Sequence, residues 1–329
     1  MRIDVPFAAG LLRDRDNIEI LCHQSPDGDT IGCGFALCRV LQQMGKQAFI
    51  TVDDVIPVCF DYLHPAVEKQ SFEPQFIVAV DVATIDMLGS AEHIAKYRGR
   101  IDLCIDHHAS NTDYAKYTLI ETEPEAAAAA ETLLQVFYAM GAPVDALTAD
   151  CIYTGIATDT GCFRYTNTTS RTLRIAADLL DRGARFELIN KRNFDTRTKT
   201  YSALEALALA TLNTYFDGKC AMLDITQEMY RLSGSDESEA HPLKALPRQV
   251  EGALVGVTIK EEKNGTFRAS VRTNTPVDAC NICKRFGGGG HKRASGCDLP
   301  GATIEEARKN ILESIRLELN QYDGISLSQ

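Results

Sequence analysis

The sequence contains no tryptophan, no apolar run of membrane-spanning length and no excess of positive charge. Each absence removes a class of function. A helical crossing of a bilayer needs about 20 consecutive apolar residues, and the first residues, MRIDVPFAAGLLRDRD, lack the apolar core of a secretory signal. The expected location is the cytoplasm, with no membrane partner. Against 34 Lys and Arg stand 45 Asp and Glu, a net charge of −11. A protein that holds long duplex by counterion release carries a basic face, so the balance argues against long duplex nucleic acid. A small anionic ligand stays open, because the local field of a cleft outweighs net charge. The stretch from Lys244 to Arg293 is locally positive, with ten Lys or Arg against four Asp or Glu. Without tryptophan, the stacking surfaces expected of long single-strand binders are poorly supplied.

Paired cysteine motifs are missing too. The eleven cysteines sit mostly in apolar strings such as those ending at Cys22 and Cys104, which reads as reduced, buried thiols rather than a disulfide framework. Cys280 and Cys283 form the one CxxC, with no second pair or histidine pair at ligand spacing, so structural zinc is not expected there.

The chain's 329 residues correspond to about two domains. Compact apolar runs at 17–23, 47–53, 76–82 and 101–108 alternate with helical spacing, which predicts a parallel sheet covered on both faces. Pro124 and Gly141 bracket an alanine-rich helix, and 145–157 and 170–183 are helical in pattern. Residues 190–215 hold neither glycine nor proline and predict one long helix linking two domains. A second, smaller α/β unit follows: a strand at 219–225, a polar loop at 233–242, a hairpin of strands at 253–262 and 266–273, and a closing amphipathic helix at 303–322. The division expected is 1–190, a linker at 191–215, and 216–329.

The chemistry-bearing residues gather at the C-terminal ends of the predicted parallel strands, where open α/β sheets place ligands. His23, Asp27 and Asp29 follow the first strand, Asp81 ends the third, and Asp106, His107 and His108 end the fourth. Asp159 lies after a helix in GIATDTGCF. An aspartate in a turn is ordinarily a cap, and a lone histidine a hydrogen-bonded bystander. Their convergence reverses that reading. Oxygen and nitrogen donors without cysteine suit two Mn²⁺ or Mg²⁺ ions, the imidazoles favouring Mn²⁺. Two such ions about 3.5–4 Å apart activate water and stabilise both oxygens of an in-line displacement at phosphorus.

HQSPDGDTIG, VAVDVA, DHHASN and GIATDTGCFRYTNTTSRT resemble the four motifs of the DHH phosphoesterases, and FGGGGHKRASG resembles the glycine-rich signature of the associated DHHA1 domain. The resemblance runs over nearly the whole chain and is nearest to the nanoRNase/pAp phosphatase branch. It implies a parallel-sheet DHH domain joined by a helical linker to a smaller α/β DHHA1 domain. It also implies that His23, Asp27 and Asp81 hold one metal, that Asp29, Asp81, His107 and Asp159 hold the other, that His108 donates to the phosphoryl or leaving oxygen, and that Asp106 orients a neighbouring histidine. The residue chemistry alone leaves open which histidine is the ligand. In the second unit, Gly287 to Gly290 permit close approach of backbone N–H groups to a phosphate. The resemblance makes Gly288, Gly289, Gly290, His291 and Arg272 contacts to a terminal phosphate; Lys292 and Arg293 read as solvated.

Two stretches depart from the family pattern. Alanines precede Glu131 where a Ser-Thr pair is usual, and the 233–247 segment is unlike the acidic, glycine-bearing segment commonly found there. Arg164 reads equally as a substrate contact or a surface residue. The activity implied is hydrolysis of the 3′-phosphoester of short 5′-phosphorylated nucleotides: nanoRNA to mononucleotides, and pAp to AMP and phosphate. The alternatives are a phosphodiesterase of pApA or cyclic di-AMP, a RecJ-like single-strand exonuclease, an inorganic pyrophosphatase, which would lack the glycine motif, and a non-catalytic nucleotide-binding protein. A homodimer is the assembly left to test.

Overall fold

The computed structural model describes residues 1–122 and 124–322; the end of the predicted second domain, 323–329, lies outside the described residues. The chain divides into two compact units, Met1–Thr196 and Arg197–Gln329.

The N-terminal unit is built on five parallel strands, β1 (Ile18–Leu21), β2 (Ala48–Thr51), β3 (Phe76–Val80), β4 (Leu103–Asp106) and β5 (Tyr117–Ile120), in the order β2-β1-β3-β4-β5. β1, β3 and β4 are buried throughout, as their continuous apolar sequences require when both faces are covered. Among the described residues the α-helices around them are α1 (Val5–Asp14), α2 (Gly28–Gln43), α3 (Ala91–Tyr97), α4 (Ala129–Met140), α5 (Ala146–Asp159), α6 (Ser170–Asp181) and α7 (Phe186–Asn190). Ile18, Ile20, Val78 and Ile105 face the large core shared with Leu37, Leu133, Phe137 and Ile152, while Leu21, Ile77 and Cys104 face a smaller one with Leu88 and Tyr97. A Cβ at Gly155 of α5 would lie 2.5 Å from Asp29 Oδ1 and 2.8 Å from the Ala130 Cβ. Only glycine lets the last turns of α5 press against the start of α2, and that contact sets the depth of the site.

The C-terminal unit carries α8 (Lys199–Leu209), α9 (Gln227–Ser233), α10 (Ala279–Lys284) and α11 (Ile304–Leu319) with a mixed sheet of β6 (Asn213–Tyr215), β7 (Cys220–Ile225), β8 (Val255–Glu261), β9 (Phe267–Thr273), β10 (Gly289–His291) and β11 (Ala294–Leu299), ordered β10-β11-β9-β8-β7-β6. One face, with Val255, Val257, Ala269, Val271 and Cys297, packs under α10 and α11 residues such as Ile282 and Ile311.

Three expectations need correction. The 190–215 segment is not one helix. After α7 come a wider π-helical turn at Lys191–Asp195 and an extended break, and the Thr198 hydroxyl then caps α8 by accepting the Tyr201 amide at 2.9 Å. Asp-Thr-Arg-Thr was the stop-and-restart signal, and 213–215 pairs as a strand instead. The alanine-rich helix starts at Ala129 rather than Pro124, because Glu125 and Ala126 turn back on the Thr122 carbonyl and the first helical amides are taken by Asp29. Within the polar 233–242 segment, Glu237 opens a 3-10 helical stretch that runs to Ala245, capped by Asp236.

Candidate active site

In the N-terminal unit, His23 leaves β1 and the chain turns through Asp27, whose Oδ1 accepts the Asp29 and Thr30 amides at 3.0 and 3.2 Å. Asp27 is therefore the N-cap of α2. The cap does not exhaust it, since the same oxygen lies 3.6 Å from His23 Nε2. His23 Nδ1 sits 2.8 Å from the Gln24 carbonyl, which can only accept, so Nε2 is left to face Asp27 and, at 3.6 Å, Asp81 Oδ2.

Asp81 is the first residue past β3, 2% exposed, and has φ +58°, a left-handed conformation that costs a non-glycine residue strain. Its N–H donates to the Ile105 carbonyl at 2.9 Å, and the turn aims its carboxylate into the cluster. Asp81 Oδ1 lies 3.6 Å from His107 Nε2 and 3.5 Å from His108 Nδ1, and has no hydrogen-bond partner among the described residues. His107 Nε2 also lies 3.1 Å from Asp159 Oδ2 at the end of α5, and 3.9 Å from Asp29 Oδ2. Donor atoms within 4.8 Å of one another thus form three groups: His23, Asp27 and Asp81; Asp29, His107 and Asp159; and Asp81, His107 and His108.

His108 differs from His107 in its partner. Its Nδ1 is 2.8 Å from Asp106 Oδ1, which also accepts the His107 and His108 amides at 2.8 and 3.3 Å. The other Asp106 oxygen accepts Asn111 Nδ2 at 2.6 Å. Asp106 is fully buried, but these contacts outweigh burial and hold its carboxyl below the usual range. His108 is thereby fixed through one nitrogen.

The cluster holds more negative charge than its setting tolerates. Asp81 is pushed well above the carboxylate range by burial and by Asp29, and Asp29 is pushed up to about 7 by burial and by Asp159. Burial opposes charge on the imidazoles, yet Asp27 and Asp81 raise His23 to about 10, as Asp159 and Asp29 raise His107. An orphaned carboxylate oxygen amid oxygen and imidazole donors fits a divalent cation.

Asn111, Gly155 and the α4 amides escaped the sequence reading. The Asn of DHHASN was a usable signal for the first. The bare alanines before Glu131 were one for the last: Ala128 offers no side-chain cap, and Asp29, from another helix, accepts the Ala129 and Ala130 amides at 2.7 and 3.0 Å. Glu131 is fully buried, 3.7 Å from Arg171. Arg164 donates Nε–H to its neighbour Gly161's carbonyl at 2.6 Å. Asn167 Nδ2 bridges the Ala127 and Asp159 carbonyls, each at 3.2 Å.

In the C-terminal unit, strand register puts His291 opposite Ala294 and Ala294 opposite Arg272. A Cβ at Gly288 would lie 2.3 Å from the Gly296 carbonyl oxygen, and Gly290 has φ +142° with the Ala294 carbonyl 2.6 Å from its missing Cβ. Those two glycines are demanded by the chain's own packing. Gly289 is not, for its Cβ position faces open space. Arg293, expected to be solvated, instead ties the Val277 carbonyl and the Thr275 hydroxyl at 2.7 and 3.0 Å, whereas Lys292 is exposed. Among the described residues no metal-capable group involves Cys280 or Cys283.

The sequence model of the DHH family's N-terminal domain matches residues 17–156, and that of the DHHA1 domain matches 241–321. The chain is 33% identical to the bifunctional oligoribonuclease and PAP phosphatase NrnA of Thermus thermophilus over 92% of its own length and 90% of the relative's. It is 25% identical to the probable bifunctional oligoribonuclease and PAP phosphatase NrnA of Streptococcus mutans, over 91% and 96%. An exopolyphosphatase-related protein from Bacteroides fragilis shares the fold, with a TM-score of 0.83 at 23% identity over 97% of this chain and 96% of that one. With two domain matches in order and a relative aligned along nearly its whole length, the chain belongs to the DHH family, in the form that carries a DHHA1 domain.

Proposed function

We propose that the protein is a metal-dependent hydrolase that cleaves the 3′-phosphoester of short 5′-phosphorylated nucleotides, converting nanoRNA to mononucleotides and pAp to AMP and phosphate. The observation that carries this reading is the buried, unpartnered Asp81 Oδ1 between His107 and His108, flanked by His23 through the other oxygen. Supporting it are relatives that bear oligoribonuclease and PAP phosphatase names along nearly the whole chain.

His23, Asp27 and Asp81 would hold one divalent ion and Asp29, Asp81, His107 and Asp159 the other, with Mn²⁺ favoured by the imidazoles. When bound, the ions supply a Lewis acid for the phosphoryl oxygens and lower the pKa of water. The chain's own residues do the rest. Asp106 and Asn111 hold His108 so that its free nitrogen donates a proton to the leaving oxygen as water adds to phosphorus and the P–O3′ bond breaks. Arg272, His291 and the Gly288–Gly290 backbone receive the 5′-phosphate, the group that pAp and pNpN share. Eleven cysteines, all free, suit a cytoplasmic enzyme.

Incubation of the purified protein with Mn²⁺ and either pAp or a 5′-phosphorylated dinucleotide tests the reading. Release of phosphate or mononucleotides is expected; a metal-loaded protein that turns over neither would end it.

A further inference from the structure

The sheet of the C-terminal unit has one face under α10 and α11 and another that carries Gly256, Thr258, Ser270, Arg272, Ala294 and Gly296 in alternation with the core residues. Arg272 pairs in register with Gly256 of β8. A Cβ at Gly256 would lie 2.3 Å from the backbone nitrogen of Arg248 and 2.8 Å from its Cα. Arg248 therefore crosses the sheet where the side chain of Arg272's cross-strand neighbour would stand. The register line runs His291, Ala294, Arg272, Gly256, and Arg248 lies over Gly256. One step along β8, the Thr258 hydroxyl is 3.4 Å from the Leu243 carbonyl, which brings the adjoining Lys244 to the same face.

Arg248, Arg272 and Lys244 are all partly buried. Other cations of this sheet are neutralised: Lys260 by Glu237 at 3.0 Å and Arg268 by Asp298 at 3.1 Å. Among the described residues no carboxylate pairs with Arg248, Arg272 or Lys244. They oppose one another, since burial and then Arg248 lower the pKa of Arg272, and burial and then Arg272 lower that of Lys244. Like charges held together, half out of water and without a counterion, are favoured only when an anion joins them.

We propose that Arg248 is a second guanidinium of the 5′-phosphate site, gripping a terminal phosphate together with Arg272 and His291 and so determining specificity for a doubly charged terminal monoester over a singly charged internal diester. The inference rests on the reading of Arg272 and His291 given under the proposed function. A terminal phosphate carries about −1.5 to −2 charge at pH 7, with a second pKa near ~6. Two planar guanidinium forks match its oxygens, whereas an internal diester offers one charge and fewer free oxygens.

The test compares a 5′-phosphorylated with a 5′-hydroxyl diadenosine dinucleotide, using the full chain loaded with Mn²⁺. The readout is the ratio of the two kcat/KM values within one preparation, so loss of folded protein cancels. Arg248→Gln should lower the ratio about tenfold or more, chiefly through KM, and Arg248→Lys, which keeps charge without the fork, should fall between. Binding of 5′-AMP to chelator-treated protein, read by calorimetry, should weaken by a similar factor. The parental preference should also grow between pH 5.5 and 7.5 as the phosphate loses its second proton, and flatten in Arg248→Gln. An unaltered ratio in Arg248→Gln beside a collapsed one in Arg272→Gln would overturn the role of Arg248 and leave the phosphate site standing. A parental enzyme indifferent to the 5′-phosphate would overturn both.

Discussion

Asp81 and Arg272 are charges in opposite predicaments. Asp81 is buried among other carboxylates, with one oxygen that has no hydrogen-bond partner among the described residues, inside a cluster whose members are fixed by backbone and side-chain hydrogen bonds. Arg272 lies on a sheet face that stays partly open, beside another cation and one strand away from an exposed glycine strand. The first setting demands a cation and permits little movement; the second demands an anion and tolerates adjustment. Substitutions of the carboxylates and imidazoles proposed to hold the ions should therefore act all-or-none, and those in the C-terminal unit by degrees.

Asp81→Asn is the severest challenge to that contrast. Turnover should fall below detection, and equilibrium dialysis should show divalent ions lost from the site. The same change removes a buried charge that Asp29 opposes and that His23 only partly offsets in chelator-treated protein. The chelated variant should thus melt above the chelated parent, by on the order of 1 kcal/mol or roughly 2–4 °C at alkaline pH. A variant that keeps its ions and turnover would show that Asp81 is an ordinary strand-end residue.

His108→Ala should leave metal binding intact while lowering kcat by ~10²–10⁴. Emptying of the site would instead make His108 a ligand and exchange its role with that of His107. Asn111→Ala touches neither reactant nor ligand but frees one oxygen of Asp106; a loss of about 10–100-fold is expected. The pH–rate profile should shift with it, which mere loosening of the loop would not cause.

Much of the N-terminal unit could be read from the chain because its signals are local. Continuous apolar strands, each ending in Asp or His, announce both a parallel sheet and the edge at which its side chains meet. What stayed illegible depends on partners distant in sequence. Asp29 caps α4 across a hundred residues, so Pro124 misdirected the helix start. The 190–215 break turns on a threonine cap that outweighs helical composition. Arg248 could not be found from sequence at all, since only the register of β8 against β9 brings it beside Arg272.

Arg272→Ala gives the graded response on the other side of the comparison. A charge-assisted hydrogen bond contributes ~1.5–3 kcal/mol, so the KM for pAp should rise about tenfold or more. Some of that binding energy is used in the transition state, so kcat on pAp can fall as well. The loss on bis-p-nitrophenyl phosphate, which has no 5′-phosphate, should be far smaller. A parallel collapse on both would place Arg272 at the reacting phosphate.

The smallest expected effect separates glycines that the fold needs from one that the ligand needs. At Gly288 a methyl group would strike the Gly296 carbonyl oxygen at 2.3 Å, so Gly288→Ala should disturb the β10–β11 ladder and lower the melting temperature. At Gly289 nothing lies within 4 Å of the missing Cβ, and the residue sits on an exposed strand between the other two. Gly289→Ala should consequently fold as the parent does, costing only the small backbone preference for glycine or alanine in a strand. If a phosphate rests against that backbone, however, the added methyl stands in its place. The KM for pAp should then rise a few-fold, on the order of 1 kcal/mol, with the melting temperature unmoved. Equal KM values for parent and Gly289→Ala would mean that the glycine run serves strand pairing alone, and that the 5′-phosphate is held by side chains.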